Sequence, residues 1–243
     1  MPFLIIIVAF ILIRLGEFVS LFARISYFKK SATDKKREKA LRLYRFAVKL
    51  GGCSKMTKIN YAYLALRHGY VDEAEEILAK ELSTARKLPV IVAAKSTLAL
   101  VYWKKGDIDS AIIFLEEVIS HGANATAYGS LGHMYNLKGD IKKALEFNKK
   151  AIEYAPDDNI IMDNYGTSLY RSGDIKGAKK VYKQLVEKNP TFPEAYVTYA
   201  RILKDEGNKG GAEKMLKKAL GTNFTFLTTL TKEEISKMID DLK

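Results

Sequence analysis

Between Ala125 and Pro156 the apolar and small positions fall into two helical stripes, Tyr128, Leu131, Gly132 and Tyr135, then Ala144, Phe147, Ala151 and Pro156, with a break at Gly139. Spacings of three and four residues mark one buried face of a helix, so the pattern predicts two helices joined by a tight turn. Gly139 suits the left-handed residue that ends a helix, and Asp140 suits the N-cap of the next. Gly132 and Ala144 permit close approach of the pair, while Tyr135, Leu145 and Ile152 fill the groove between them. One such hairpin leaves apolar surface uncovered on both sides, so it requires neighbours.

The neighbours are present. Moving 34 residues on from Leu131-Gly132 reaches Tyr165-Gly166, followed by Gly173-Asp174-Ile175, Ala178, Tyr182 and Pro190; another 34 reaches Tyr199-Ala200, Gly207 and Ala212. Moving 33 back gives Leu98-Ala99, Gly106-Asp107-Ile108 and Ala111, and a further 37 gives Tyr61-Ala62, Gly69 and Ala74. Ala40, Tyr44 and Ala47 match the second helix of a sixth, incomplete unit. The Gly-Asp-Ile triplet recurs three times in register. A large residue, L-G, Y, a turn Gly, A, an aromatic, A and P resembles the tetratricopeptide repeat, over about Asp34–Gly221. The regular glycines exclude an unbroken coiled coil. The resemblance implies an all-α, right-handed α-solenoid of about five helix-turn-helix repeats plus a half repeat, with first helices near 56–68, 91–105, 125–138, 159–172 and 193–206. After Gly221, Thr231 to Glu234 reads as a capping box opening a last helix, whose stripe Ile235, Met238, Ile239 and Leu242 suits a C-terminal cap.

The other end of the chain is different. Phe3–Ile13 is an uninterrupted apolar run that spans only about 17 Å as a helix, against a hydrocarbon core of ~30 Å. Extended to Ala23 it becomes long enough but includes Arg14 and Glu17, one helical turn apart and able to pair. The expectation is a preceding N-terminal apolar membrane helix within residues 1–28. Three readings compete with it: a cleaved signal peptide, a surface-lying helix with the stripe Leu15, Phe18, Val19, Phe22 and Ile25, and a buried helix of the solenoid.

Charge sharpens this picture. Of the net +12, residues 29–58 carry +9 through eleven Lys and Arg against two acids, which leaves the repeats nearly neutral. The domain order expected is an anchor over 1–28, a basic juxtamembrane segment and half-repeat helix over 29–53, the repeats over 54–221 and the cap over 222–243. Lys29, Lys30, Lys35, Lys36 and Arg37 beside an apolar segment fit anionic head groups and place the repeats on the cytoplasmic side. A solvated helix face is the plainer reading of the same run. Nucleic-acid binding is disfavoured, because no basic track continues onto the repeats.

In the tetratricopeptide family the first helices line a concave surface. Mapping the facing repeat positions onto this chain implies a groove containing Tyr63, Arg67, Trp103, Lys104, His133, Asn136, Asp163, Thr167, Tyr170, Arg171, Arg201 and Lys204. Aromatic anchors beside Arg and Asn suit a peptide; the competing reading packs Trp103 and Tyr170 between repeats. The lysine and asparagine clamp for C-terminal carboxylates is not expected, since Ile59, Ser96, Gly129, Asp163 and Val197 occupy its characteristic position. The single cysteine, Cys53, excludes an internal disulfide, and three scattered histidines offer no metal spacing. Gly207–Gly211 lacks the Lys-Ser/Thr of a phosphate loop, and no nucleophile elbow occurs.

The sequence therefore points to a non-enzymatic scaffold without cofactor, holding a protein or peptide partner near a membrane, with no small-molecule substrate. An assembly factor of an envelope or secretion complex that binds through the outer face is the alternative. A nucleic-acid binder using the basic collar is the weaker one.

Overall fold

The computed structural model describes residues 14–122 and 124–242. Thirteen helices and no strand occur among them. The chain divides into two compact units, one ending at Val101 and the other starting at Tyr102.

The first unit contains α1 (Leu15–Phe28), α2 (Asp34–Leu50), α3 (Lys55–Arg67), α4 (Val71–Ser83) and most of α5 (Leu88–Lys104). Its core joins Ala23 and Tyr27 of α1 to Ala40, Leu41 and Tyr44 of α2 and to Tyr61, Leu64 and Ala65 of α3. This corrects the half repeat. Residues 15–28 supply the missing first helix, with Gly16 facing the C-terminal end of α2. A Cβ on Gly16 would sit 1.9 Å from the Gly51 carbonyl oxygen and 2.6 Å from that of Ala47, so only glycine permits this approach. Glu17, expected to pair with Arg14, is engaged by the start of α3. Its carboxylate accepts the Ser54 N–H at 2.7 Å and the Thr57 hydroxyl at 2.6 Å, satisfying free donors at the start of α3. The extension of an apolar anchor to Ala23 is thus replaced by a helix packed through Gly16, Ser20, Ala23 and Tyr27. Among the described residues no helix is long and apolar enough to cross a membrane. The run Phe3–Ile13 lies outside those residues.

Two partly buried charge clusters stiffen the first unit. Arg45 clamps Glu73 at 2.7 and 3.0 Å while Tyr61 donates to the same carboxylate at 2.7 Å. Glu81, almost fully buried, is paired by Lys58 at 2.8 Å and Lys55 at 3.3 Å. Part of the basic segment is therefore committed to the fold.

The second unit contains α6 (Ile108–Ser120), α7 (Ala125–Lys138), α8 (Ile141–Tyr154), α9 (Asn159–Ser172), α10 (Ile175–Glu187), α11 (Pro193–Asp205), α12 (Lys209–Leu220) and α13 (Lys232–Asp240). The Gly-Asp-Ile triplets do what their chemistry suggests. Gly139 and Gly173 end α7 and α9 at φ of 86° and 90°. Asp107, Asp140 and Asp174 then accept the backbone N–H three residues on, at 3.0, 3.0 and 2.9 Å. Consecutive first helices α7, α9 and α11 pack side by side, each against its own second helix. Thr231 and Glu234 form the capping box of α13, and its Ile235, with Leu242 just beyond its end, joins Ala212, Leu216 and Ala219 of α12 in one cluster. The cap is as expected.

Candidate functional site

The side chains that the repeat register brings forward fall in both units. In the first, Tyr63 is exposed on α3 and Arg67 follows one turn later, its guanidinium 5.9 Å from the ring centroid. Around the turn after α1, Lys29, Lys30, Lys35 and Lys36 are exposed, while Arg37 pairs with Asp34 at 3.1 Å.

In the second unit the assembly is tighter. The ring of His133 on α7 meets Trp103 edge-on at 5.0 Å, and the Lys104 ammonium lies 4.8 Å from the centroid of the Trp103 ring. His133 Nε2 is buried and finds no hydrogen-bond partner among the described residues. Burial, helped by the Lys104 and Arg171 cations, brings the His133 pKa down to about 4, so the ring is neutral at physiological pH. Asp163, one helix along on α9, moves the other way. Burial and the nearby Glu194 carboxylate push it up to about 7, against a 3.0 Å hydrogen bond from the Tyr182 hydroxyl. Tyr170 donates to Asp205 at 2.6 Å, and Arg201 lines a cavity of about 130 Å³ with Lys204, Met238 and Leu242 at the capped end.

Asn136 is placed differently from the expected groove position. It is only 5% exposed. Its amide donates to the Asn164 carbonyl at 2.9 Å and accepts from Ser168 at 2.8 Å, and Arg171 donates to its backbone carbonyl. Asn164 in turn donates to the Gly129 carbonyl at 2.7 Å, and Asn148 donates to Ser168 at 2.9 Å. These four side chains stitch α7, α8 and α9 through the interior, where polar groups must be paired. Sequence reasoning missed the network. Its one signal was Asn148 on the buried stripe of α8, between Ala144 and Ala151.

Sequence reasoning also missed the segment between α12 and α13. The Asn223 N–H donates to the Thr191 carbonyl at 2.9 Å, and Thr229 donates its N–H and hydroxyl to Glu194 at 2.7 and 3.0 Å. Between these ties Phe226 comes within 4.6 Å of the Lys104 ammonium, measured to the ring centroid.

Helix-turn-helix units of this spacing, turn chemistry and packing have a family counterpart. The tetratricopeptide repeat model matches residues 93–120 and 125–158, and a second model of the same description matches 169–225. The chain carries tetratricopeptide repeats. Among solved structures, a tetratricopeptide repeat protein of Parabacteroides merdae superposes with a TM-score of 0.73 at 16% identity, covering 93% of this chain and 84% of its own. A thermophilic repeat protein of Thermus thermophilus gives 0.63 at 16% identity, over 78% and 98%. The pilF protein of Pseudomonas aeruginosa gives 0.57 at 15% identity, over 77% and 85%. At these identities the likeness shows the fold alone. A comparison with curated protein sequences finds no match. Tetratricopeptide repeats generally mediate protein–protein interaction and are generally non-enzymatic. Among the described residues no group of His, Cys, Asp and Glu is arranged to hold a metal ion.

Proposed function

We propose that the protein is a non-enzymatic scaffold that captures a protein or peptide partner on the first-helix face of its second unit and is tethered to a membrane through its N-terminal region. The observation that carries the capture is the cluster of Trp103, Lys104 and His133, with Tyr170 and Arg171 one helix along. Rings and cations stand on one set of neighbouring first helices, the composition that concentrates binding energy at interfaces. Asn136 is excluded from the contact set by its interior bonds. Tyr63 and Arg67 offer a smaller aromatic and cationic pair in the first unit.

Tethering is supported by sequence and by surface. Phe3–Ile13 is apolar throughout. On α1, directly after it, Phe18, Leu21, Phe22, Ile25 and Phe28 remain exposed opposite the packed face, and Lys29 and Lys30 follow. An apolar stripe rimmed by Lys and Arg suits an anionic head-group layer. With positive charge retained on the inner side, the repeats lie on the cytoplasmic face.

The test is a pull-down of the full-length protein from detergent-solubilised native cells beside the Trp103→Ala/Tyr170→Ala variant. A partner captured by the first and lost by the second is the expected result. Retention by both would move binding to the outer helices, the cap or the basic segment, and capture that disappears only when Lys35–Arg37 are reversed in charge would point to nucleic acid.

A further inference from the structure

The segment Thr222–Leu230 is a hydroxyl-rich stretch with a turn at Phe226 and Leu227, and its two phenylalanines are held differently. Phe224 and Leu230 pack against the α11–α12–α13 cluster and fix the base of the segment. Phe226 does not. It is 40% exposed, and its described contact is with the Lys104 ammonium, which is 4.6 Å from the centroid of this ring and 4.8 Å from that of Trp103. The stretch around it is braced by its own threonines: the Thr228 N–H donates to the Thr225 carbonyl and the Leu227 N–H to the Thr225 hydroxyl, at 3.0 and 3.2 Å. Beyond the tip, the Thr229 amide and hydroxyl converge on Glu194, whose charge also acts on Lys104.

These contacts are what a bound peptide would make. An aromatic side chain caps a cation–π pair, and three residues later a backbone N–H and a hydroxyl satisfy one carboxylate. We infer that Trp103, Lys104 and Glu194 form an acceptor site for a peptide of the pattern aromatic-x-x-Thr or Ser that turns at its aromatic residue, and that Phe226–Thr229 is its intramolecular occupant. The partner displaces the chain's own segment. The inference rests on the proposed first-helix face as the capture surface and specifies which chemistry it reads and what stands in the way. The base of the segment is anchored by packing, so the tip can leave while the cap stays seated. The tip is held by one exposed cation–π contact and charge-assisted hydrogen bonds, a combination that opens far below the cost of global unfolding. While seated, it acts at the high effective concentration of a tethered ligand, on the order of mM, which sets the competition an external peptide must meet.

Trp103 is the sole tryptophan, so its emission reads the site directly. The probe is the acetylated, amidated peptide TNFTFLTTL, titrated into full-length protein in detergent, beside the same peptide with alanine in place of its second phenylalanine. Phe226→Ala vacates the site without disturbing the anchored Phe224, and Thr229→Ala provides a second variant that loosens it. The expected result is a shift of Trp103 emission in Phe226→Ala alone. Binding of the phenylalanine peptide should then be at least tenfold tighter than to wild type, be lost in Phe226→Ala/Glu194→Gln, and be absent with the alanine peptide. Unchanged Trp103 emission in both loosened variants, or equal peptide binding by wild type and Phe226→Ala, overturns the inference. The pull-down separates the two claims. A partner that needs Trp103 yet is captured equally by wild type and Phe226→Ala leaves the capture face standing and removes the occupant. If capture ignores Trp103 while the peptide titration behaves as expected, the occupant stands and the capture face does not.

Discussion

At the scale of single residues, the second unit holds two ionisable groups whose environments oppose each other. Asp163 has a folded-state pKa near 7, above its unfolded value, so its contribution to stability is complete below pH 4 and is lost as pH rises toward 7. His133 has a folded-state pKa near 4, below its unfolded value, so its contribution is complete above pH 6.5 and is lost as pH falls toward 4. Asp163→Asn keeps an oxygen for Tyr182 and removes the first trend. It should raise stability at pH 8 by on the order of 3 kcal/mol and change little at pH 4. His133→Asn should do the reverse, flattening the loss on the acid side. Urea titrations at pH 4.5, 6 and 8 would show it; parallel pH profiles for wild type and Asp163→Asn would sink the assignment. The repeat register placed both residues correctly on the first helices, but not their burial. Asn136 makes the same point. Its spacing directs it toward the groove, and only the Ser168, Asn164 and Arg171 groups of α9 show that its polar atoms are already occupied. Register fixes where a Cβ sits, whereas partners come from residues about thirty positions away.

At the scale of elements, most of the fold was legible, because helix ends are written locally. Predicted first helices at 125–138 and 159–172 match α7 and α9 residue for residue, since Asn124, Asp158 and the turn glycines supply caps that need no tertiary context. The failure at α1 has an equally local cause. A five-residue connection, 29–33, separates it from α2 where Gly139 and Asp140 suffice between α7 and α8, which breaks the repeat period, and its exposed phenylalanines extend the apolar look of Phe3–Ile13. The informative residues were the small ones, Gly16, Ser20 and Ala23, spaced along one face. Two glycine substitutions test this reading against each other. Gly16→Ala drives a methyl into the carbonyls of Gly51 and Ala47, backbone atoms that cannot step aside as a side chain would, and should cost about 3 kcal/mol or more. Gly210→Ala lies in the first turn of α12 with nothing within 4 Å and should stabilise by about 0.5 kcal/mol through reduced backbone entropy. Urea midpoints followed by circular dichroism would compare them. A tolerated Gly16→Ala would mean that α1 is not seated against α2 as described.

At the scale of the whole molecule, two features escape any reading of periodicity. Phe226 and Lys104 are more than a hundred residues apart within the second unit, and no repeat rule connects a linker to the first helix of an earlier repeat. The asymmetry of the surface is the second. The repeats are nearly neutral, whereas α1 and the turn after it combine five exposed large apolar side chains with Arg14, Arg24, Lys29 and Lys30, and Phe22 alone is 66% exposed. Burying such a ring in an interface contributes about 1.5–3 kcal/mol, and each Lys or Arg near an anionic surface adds about 1 kcal/mol. The proposed tether therefore has two separable parts, the run Phe3–Ile13 and the face of α1. Flotation with vesicles of phosphatidylcholine and phosphatidylserine can resolve them. Full-length protein should remain on the vesicles in high salt. A variant lacking residues 2–13 should bind reversibly, losing most of its binding as salt is raised, because screening removes the charge share first. Adding Phe22→Glu and Ile25→Glu to that variant should lower binding at least tenfold at low salt, since both the apolar gain and the charge complementarity are reversed. Absence of low-salt binding by the shortened variant would remove α1 from the tether and leave its apolar face to a protein partner. A shortened variant that binds neutral and anionic vesicles equally would show that the basic residues act only on the fold, as Lys55, Lys58 and Arg45 already do through Glu81 and Glu73.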